Sequence, residues 1–196
     1  TNLQYLLKEI IILPYKPSSK ASQTKYFLQE ALISLCEQKP IDQIRIQELS
    51  ELAGYNRGTF YLYYQDIYDL REQIEENLIT FFKNNALPLI HSLITGDSIQ
   101  NFANRLQYLE QNRRRLGVML SDNGDPAFTK KLIDLAKNFI TQTMNLPADN
   151  KKCQYALEYI AYAHISIIRE WLVGKIEFSS QELLEFFLEI LHKGPI

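Results

Sequence analysis

An all-α fold is what this sequence predicts, and three observations predict it. The 196 residues are 46% hydrophobic yet include only 7 Gly and 7 Pro, so breakers are too sparse for a hairpin-rich chain. Apolar residues recur at helical spacing through most of the sequence, and no alternating pattern persists long enough to make a strand. Where breakers do occur, good helix caps such as Asn56 and Asp66 stand beside them. A chain of this length and composition can bury its own core without covalent staples.

Charge and chemistry narrow the function classes. Lys and Arg total 21 against 23 Asp and Glu, for a net charge of -2. Any contact with a polyanion must therefore rest on local placement of charge. Cys36 and Cys153 lie far apart, with no paired-cysteine or Cys/His motif, so reduced thiols are expected rather than a disulfide framework or a zinc site. No Ser-His-Asp set, carboxylate pair or glycine-rich phosphate loop can be assembled, so no catalytic residue, metal or cofactor is expected. His91, His164 and His192 are isolated, and His164 on an apolar helix reads as a core histidine. Residues Leu3 to Leu13 are apolar but interrupted by Lys8 and Glu9, which is too short for a span. A soluble cytoplasmic protein without membrane contact is the expectation.

Taken in order, the chain opens with an extension, 1–19, whose short helix ends near Pro14. The linker 14–20 carries Pro14, Pro17 and Ser18. The first helix of the head is expected from Ser22 as N-cap, buries Phe27, Leu28, Ala31, Leu32 and Leu35, and stops at Pro40. A very short helix spans about 47–53, with Ile46, Leu49, Leu52 and Ala53 on one face. Gly54 sits where a left-handed residue is needed. Asn56 caps a third short helix that points Phe60 inward and leaves Arg57, Thr59, Tyr61 and Tyr63 outward. Tyr61-Leu62-Tyr63-Tyr64 has strand propensity, which the flanking helix signals should override.

Asp66 caps a long helix to about Asn84, buried through Leu70, Ile74, Leu78 and Phe81, and Pro88 should kink or end it. Gly96-Asp97-Ser98 breaks the chain before a helix carrying Phe102, Leu106 and Leu109. Asn112 is a candidate cap for a further short helix to Leu120, and Arg113, Arg114 and Arg115 read as its solvated start. After the turn Asn123-Gly124-Asp125, Pro126 opens a helix with Leu132, Leu135, Ala136, Phe139 and Ile140. Two last helices are expected at about 150–174 and 180–192. Both are apolar on more than one face, which calls for burial on a second side. A second copy of the chain is expected to supply that side in a four-helix interface, through Tyr159, Ala163, Ile167, Trp171, Leu184, Phe187, Leu188 and Leu191, the alternative being a wholly internal core.

The window from Ile44 to Leu70 carries the function. Two short helices meet at a turn containing Gly54, and the second opens on polar residues. A major groove about 12 Å wide admits one such helix. Its N-terminus offers N–H groups to phosphate, and Gly58 removes bulk there. The run Ile46-Gln47-Glu48-Leu49-Ser50-Glu51-Leu52-Ala53-Gly54-Tyr55-Asn56-Arg57-Gly58-Thr59-Phe60-Tyr61-Leu62-Tyr63-Tyr64 resembles the DNA-binding head of the TetR family. Glu110 to Arg114, Gly124-Asp125-Pro126-Ala127-Phe128 and Trp171-Leu172-Val173-Gly174 are similar to the Firmicutes-type body of that family and its dihydroxyacetone-kinase regulator branch.

The resemblance implies a three-helix helix-turn-helix head on a helical-bundle body, about nine helices plus the extension. The domains would be 20–66 for DNA and 67–196 for ligand binding and dimerisation. It implies that Asn56, Tyr61 and Tyr63 hold phosphates, that Arg57, Thr59 and Tyr55 face base edges, and that Gln47 touches backbone, with Gly58 giving close approach and Lys20 and Lys25 forming a basic arm. The partners would be a near-palindromic double-stranded DNA operator, a second copy of the chain and a small-molecule effector of unknown identity. Tyr108, Met119, Phe128, Phe139 and Tyr162 are candidates to line an effector cavity, plain core packing being the alternative for each. A ligand-responsive homodimeric repressor follows, with two alternatives: a co-regulator or activator paired with a separate metabolite-sensing protein, or a helical interaction protein that does not bind DNA.

Two positions depart from the family pattern. Ile67 stands where a Lys is common, and Leu62 where a basic or polar residue is common. Residues 20–70 hold five basic and seven acidic side chains, for a net charge of -2. Each missing phosphate contact flattens the salt dependence by about 0.9 in log–log slope, so modest affinity per head is expected.

Overall fold

The computed structural model describes residues 19–95, 102–147 and 149–193; at residues 93, 95, 102–108, 191 and 192 it describes backbone only. The expected extension helix and the Gly96-Asp97-Ser98 break lie outside the described residues. The described chain is helical and holds no strand. Its helices are α1 (Lys20–Cys36), α2 (Ile46–Leu52), α3 (Arg57–Tyr61), α4 (Ile67–Phe81), α5 (Leu87–Thr95), α6 (Phe102–Met119), α7 (Pro126–Thr143), α8 (Lys151–Leu172) and α9 (Ser180–Lys193). None of the described helices is long and apolar enough to cross a membrane. Two compact units are present, one reaching to Asn77 and including Asp122–Gly124, the other holding Leu78–Ser121 and Asp125 onward.

In the first unit, the cap of α1 lies three residues before the Ser22 cap expected from sequence. Ser19 is the cap, and its Oγ accepts the Ser22 N–H at 3.1 Å. Either serine has the chemistry, and the one at the chain's exit from helical geometry performs it. The helix ends at Cys36 rather than at Pro40, which instead precedes the 3-10 turn Ile41–Gln43. Leu28, Ala31, Leu32 and Leu35 of α1 are buried with Ile44, Leu49, Ala53, Phe60, Tyr64, Ile67, Leu70 and Ile74. Phe27 is only half-buried.

Cys36 is part of this core, and burial pushes its thiol pKa up from 9.0 to about 11. The neutral thiol is the favoured folded form, so its stabilising contribution is intact below the ordinary thiol pKa and is lost as pH rises through about 11. Alkylation at pH 8 should reach the half-buried Cys153 and spare Cys36 until the chain is unfolded in urea. Mass mapping of the labelled sites checks this, and equal labelling rates in the folded chain would contradict it.

Asp66 and Asp69 cap α4 together. Asp66 Oδ1 accepts the Asp69 N–H at 2.8 Å, and Asp69 Oδ2 accepts the Gln65 N–H at 2.8 Å. That backbone donor, followed by the Gln73 side chain, holds the Asp69 carboxyl below its usual range. The expected disturbance at Pro88 takes the form of a π turn, Phe82–Ala86, between α4 and α5. Proline has no N–H for the carbonyl four residues back, and its ring crowds that carbonyl. The turn widens so that the Leu87 N–H bonds the Phe82 carbonyl, five residues back.

In the second unit, α6 packs on α8 and α9, and α7 packs on α5 and α8. Asn112 does not begin a helix, because α6 runs unbroken from Phe102 to Met119. A capping side chain acts only where the backbone leaves helical geometry, and nothing between 102 and 119 forces it to. Asp125 caps α7 through the Ala127 N–H at 2.8 Å, with Pro126 in the first turn. Ser179 and Glu182 form a reciprocal capping box on α9. Glu182 accepts the Ser179 N–H at 2.7 Å and Ser179 Oγ accepts the Glu182 N–H at 3.1 Å. The spacing Ser179-x-x-Glu182 is a sequence signal for this box.

Arg113 is not part of a solvated helix start. Its guanidinium lies 4.2 Å from the centre of the Trp171 ring, and Nη2 donates to the Trp171 carbonyl at 2.7 Å. Trp171 is fully buried and its Nε1 donates to the Phe178 carbonyl at 2.6 Å. One turn along α6, Gly117 faces the end of α8: a Cβ there would stand in van der Waals contact with the Leu172 carbonyl, at 3.4 Å.

Among the described residues, α2, α7 and α8 end in the same Schellman geometry, at Gly54, Asn145 and Gly174. For α7 the left-handed residue is Asn145, at φ 50°, with Asn145 N–H to Gln142 and Leu146 N–H to Thr141. Asn145 is exposed. Asn145→Gly should therefore stabilise the protein by about 0.5 kcal/mol, since glycine carries no Cβ strain in this region. Urea unfolding would check it, and a loss of stability would show that the asparagine side chain contributes more than its strain costs.

Candidate nucleic-acid interface

The turn between α2 and α3 is built on Gly54. Its φ of 78° ends α2 in a Schellman motif, with Gly54 N–H to the Glu51 carbonyl at 3.0 Å and Tyr55 N–H to the Ser50 carbonyl at 2.8 Å. Asn56 then starts α3: its Oδ1 accepts the Thr59 N–H at 2.9 Å and the Thr59 hydroxyl at 3.2 Å. Phe60 is fully buried beneath α3, and Tyr64 follows it into the core, where its hydroxyl accepts from Gln29 Nε2 at 3.4 Å. The two inward aromatics, 5.6 Å apart, fix which side of this five-residue helix faces out.

The outward side holds the side chains expected at DNA. Arg57 is exposed and its Nη2 donates to the Tyr61 hydroxyl at 3.5 Å. Tyr61 is half exposed, and Thr59, Tyr63 and Tyr55 are half-buried. Lys25 reaches over the Tyr63 ring, 5.9 Å from its centre, so the expected arm residue and this tyrosine lie together. Lys20 is exposed at the start of α1. Gln47 is exposed on α2, but its amide donates to the Glu51 carboxylate. Gly58 has a local reason to be glycine, because a Cβ there would stand 3.2 Å from the Asn56 Oδ1 that caps the helix.

Charge here is sparser than the sequence suggests. Lys39 is held by both oxygens of Glu48, at 2.8 and 2.7 Å, and this bond keeps the Glu48 carboxyl below its usual range. Leu62 closes α3 at 77% exposure.

In the second unit the expected cavity residues are dispersed in burial. Met119 and Phe128 are fully enclosed in the core, Phe139 is half-buried with its ring 6.4 Å from that of His91, and Tyr162 is 48% exposed. The Tyr108 side chain lies outside the described residues. Two residues expected between copies are interior to one copy: Trp171 and Leu184 are buried. Their size and spacing fit an interface, but Arg113 covers a face of the Trp171 ring and the Phe178 carbonyl takes its edge N–H within the same chain. Tyr159 is 70% exposed, Ala163, Ile167, Phe187 and Leu188 are half-buried, and the Leu191 side chain lies outside the described residues. His164 stacks on Phe187 with ring centres 4.6 Å apart, and its Nδ1 bonds the Ile160 carbonyl at 2.7 Å, as a satisfied structural histidine does. Lys137 of α7 pairs with Glu158 of α8, which raises the lysine pKa.

Residues 96–193, half of the chain, match the family profile described as the C-terminal region of TetR-type transcriptional regulators. The chain belongs to the TetR family. This TetR-family regulator is also 36% identical over 62 residues to the uncharacterized HTH-type transcriptional regulator YxbF of Bacillus subtilis (strain 168). That match spans 32% of the chain and 15% of the relative. The dihydroxyacetone kinase operon activator DhaS has the same fold, with a TM-score of 0.52 at 20% identity over 86% of this TetR-family chain and 93% of DhaS.

Proposed function

We propose that this transcriptional regulator is a ligand-responsive homodimeric repressor that reads a near-palindromic operator with α3. The observation that carries the reading is the division of α3 itself. Phe60 is buried to anchor it, while Asn56, Arg57, Gly58 and Tyr61 are exposed on a short helix behind a tight glycine turn. In this reading residues 20–66 contact DNA, with Arg57, Thr59 and Tyr55 toward base edges and Tyr61, Tyr63 and the Asn56 amide toward phosphates. Gln47, Lys20 and Lys25 flank them. Residues 67–196 carry the effector site and the dimer contact.

The dimer contact draws support from α8. Tyr155 and Tyr159 are 72% and 70% exposed, and Ile160 lies beside them at 42%. With Ala156, Ala163 and Ile167 they form a contiguous apolar stripe along α8, the kind of surface that a partner covers. A two-fold pair of chains brings two copies of α3, and an effector that prefers one body conformation would shift the population away from the DNA-bound form. Selection from a random duplex pool tests the reading. A palindrome should be enriched by the wild type and lost in Arg57→Ala with Tyr61→Phe.

A second reading has its own observation. The head is net acidic, with Lys39 engaged by Glu48 and Gln47 by Glu51, which favours a chain that binds DNA with help from a metabolite-sensing partner. No enrichment at low salt, with no small molecule shifting the melting temperature, would favour that reading or an interaction protein that does not bind DNA.

A further inference from the structure

Leu62 is the most exposed large apolar side chain among the described residues, at 77%. It is the C-cap residue of the helix proposed above to read DNA, and its backbone is still helical, at φ -71° and ψ -20°. Successive residues of a helix turn by about 100°, so Gly58 and Leu62 each stand about 160° from the buried Phe60 and about 40° from one another. These two residues form the outermost ridge of α3. Arg57 and Tyr61 flank the ridge on one side, and Thr59 on the other. Gly58 contributes no side chain, so Leu62 is the bulk of the ridge.

A leucine in this place has nothing to offer a phosphate. The apolar group that a major groove presents is the 5-methyl of thymine. We infer that Leu62 packs on a thymine methyl in each half of the operator, so that α3 selects thymine by apolar contact beside the polar contacts of Arg57 and Tyr61. This rests on the DNA reading above and names one feature of the sequence it selects. It also accounts for a leucine at the crest of a head that is short of phosphate-binding charge: the contact is independent of salt, unlike those made by lysine.

The test is a thymine-to-deoxyuridine scan of the duplex recovered by selection, using the full-length chain and its Leu62→Ala variant. Deoxyuridine removes only the methyl. At one thymine per half-site the wild type should lose about fourfold in affinity, the worth of one buried methyl, and Leu62→Ala should bind the two duplexes equally. Leu62→Gln should lose the methyl dependence as well, and neither variant should lower the melting temperature, because the side chain is exposed. A methyl dependence that survives unchanged in Leu62→Ala, or none in the wild type, overturns the contact while leaving DNA binding in place. A wild type that enriches no duplex overturns the DNA reading, and this contact with it.

Discussion

Replacing Arg113 by alanine is expected to lower stability by about 2 kcal/mol, counting a charged hydrogen bond and a cation–π contact, discounted for partial exposure. In a chain of this size that is a fall of about 4–8 °C in melting temperature. The Arg113 side chain is 32% exposed, so part of its charge remains screened by water. What it does at the end of α8 is specific. The last carbonyls of a helix carry partial negative charge with no partner inside the helix, and Arg113 Nη2 meets one of them while its plane covers the indole that the carbonyl belongs to. Arg113→Lys keeps the charge but not the plane or the fork, and should recover less than half of the loss. Differential scanning calorimetry of the three proteins checks this. A lysine variant as stable as the wild type would mean that charge alone matters and the stacking does not.

Gly54→Val should destabilise the head by about 2 kcal/mol, because a β-branched side chain is forced to a positive φ. The same substitution tilts α3, since the Tyr55 N–H bond to Ser50 and the Asn56 cap are placed by that turn. Selective enrichment of any duplex should therefore be lost with it. Gly54→Asn is the internal control. The chain itself tolerates asparagine in the same motif at Asn145, so this variant should lose only a few tenths of a kcal/mol relative to glycine. Circular dichroism melts separate the two. If valine and asparagine behaved alike, the strain at φ 78° would not be what holds the turn.

Local chemistry was legible wherever a residue's role depends on its own neighbours in sequence. Gly54 was readable as the left-handed turn because a polar helix start follows it at once. Asn56, Asp66 and Pro126 were readable because caps and first-turn prolines act within three residues. Phe60 was separable from Tyr61 and Tyr63 by helical period alone. The family resemblance rested on this same compact window, where every side chain's task is set by the turn beside it.

The errors fall where more than one residue could have filled a role. Ser19 and Ser22 are equally good caps, and the point at which the chain leaves helical geometry chose between them. Asn112 has capping chemistry but no break to cap. Trp171 and Leu184 read as interface because size and periodicity say only that a side chain is buried, not against what. Arg113 read as solvated because nothing in the sequence announces a tryptophan 58 residues away.

By itself, then, the sequence determined the helical class, the helix-turn-helix and the side of α3 that faces out, because period, caps and glycine act over one or two turns. Only the tertiary structure decided that Arg113 closes the end of α8, that Trp171 belongs to one chain's own core, and that Leu62 stands at the end of α3 with 77% of its surface open. Those outcomes depend on which distant elements pack together, and packing between helices far apart in sequence follows shape and burial, which no local pattern records.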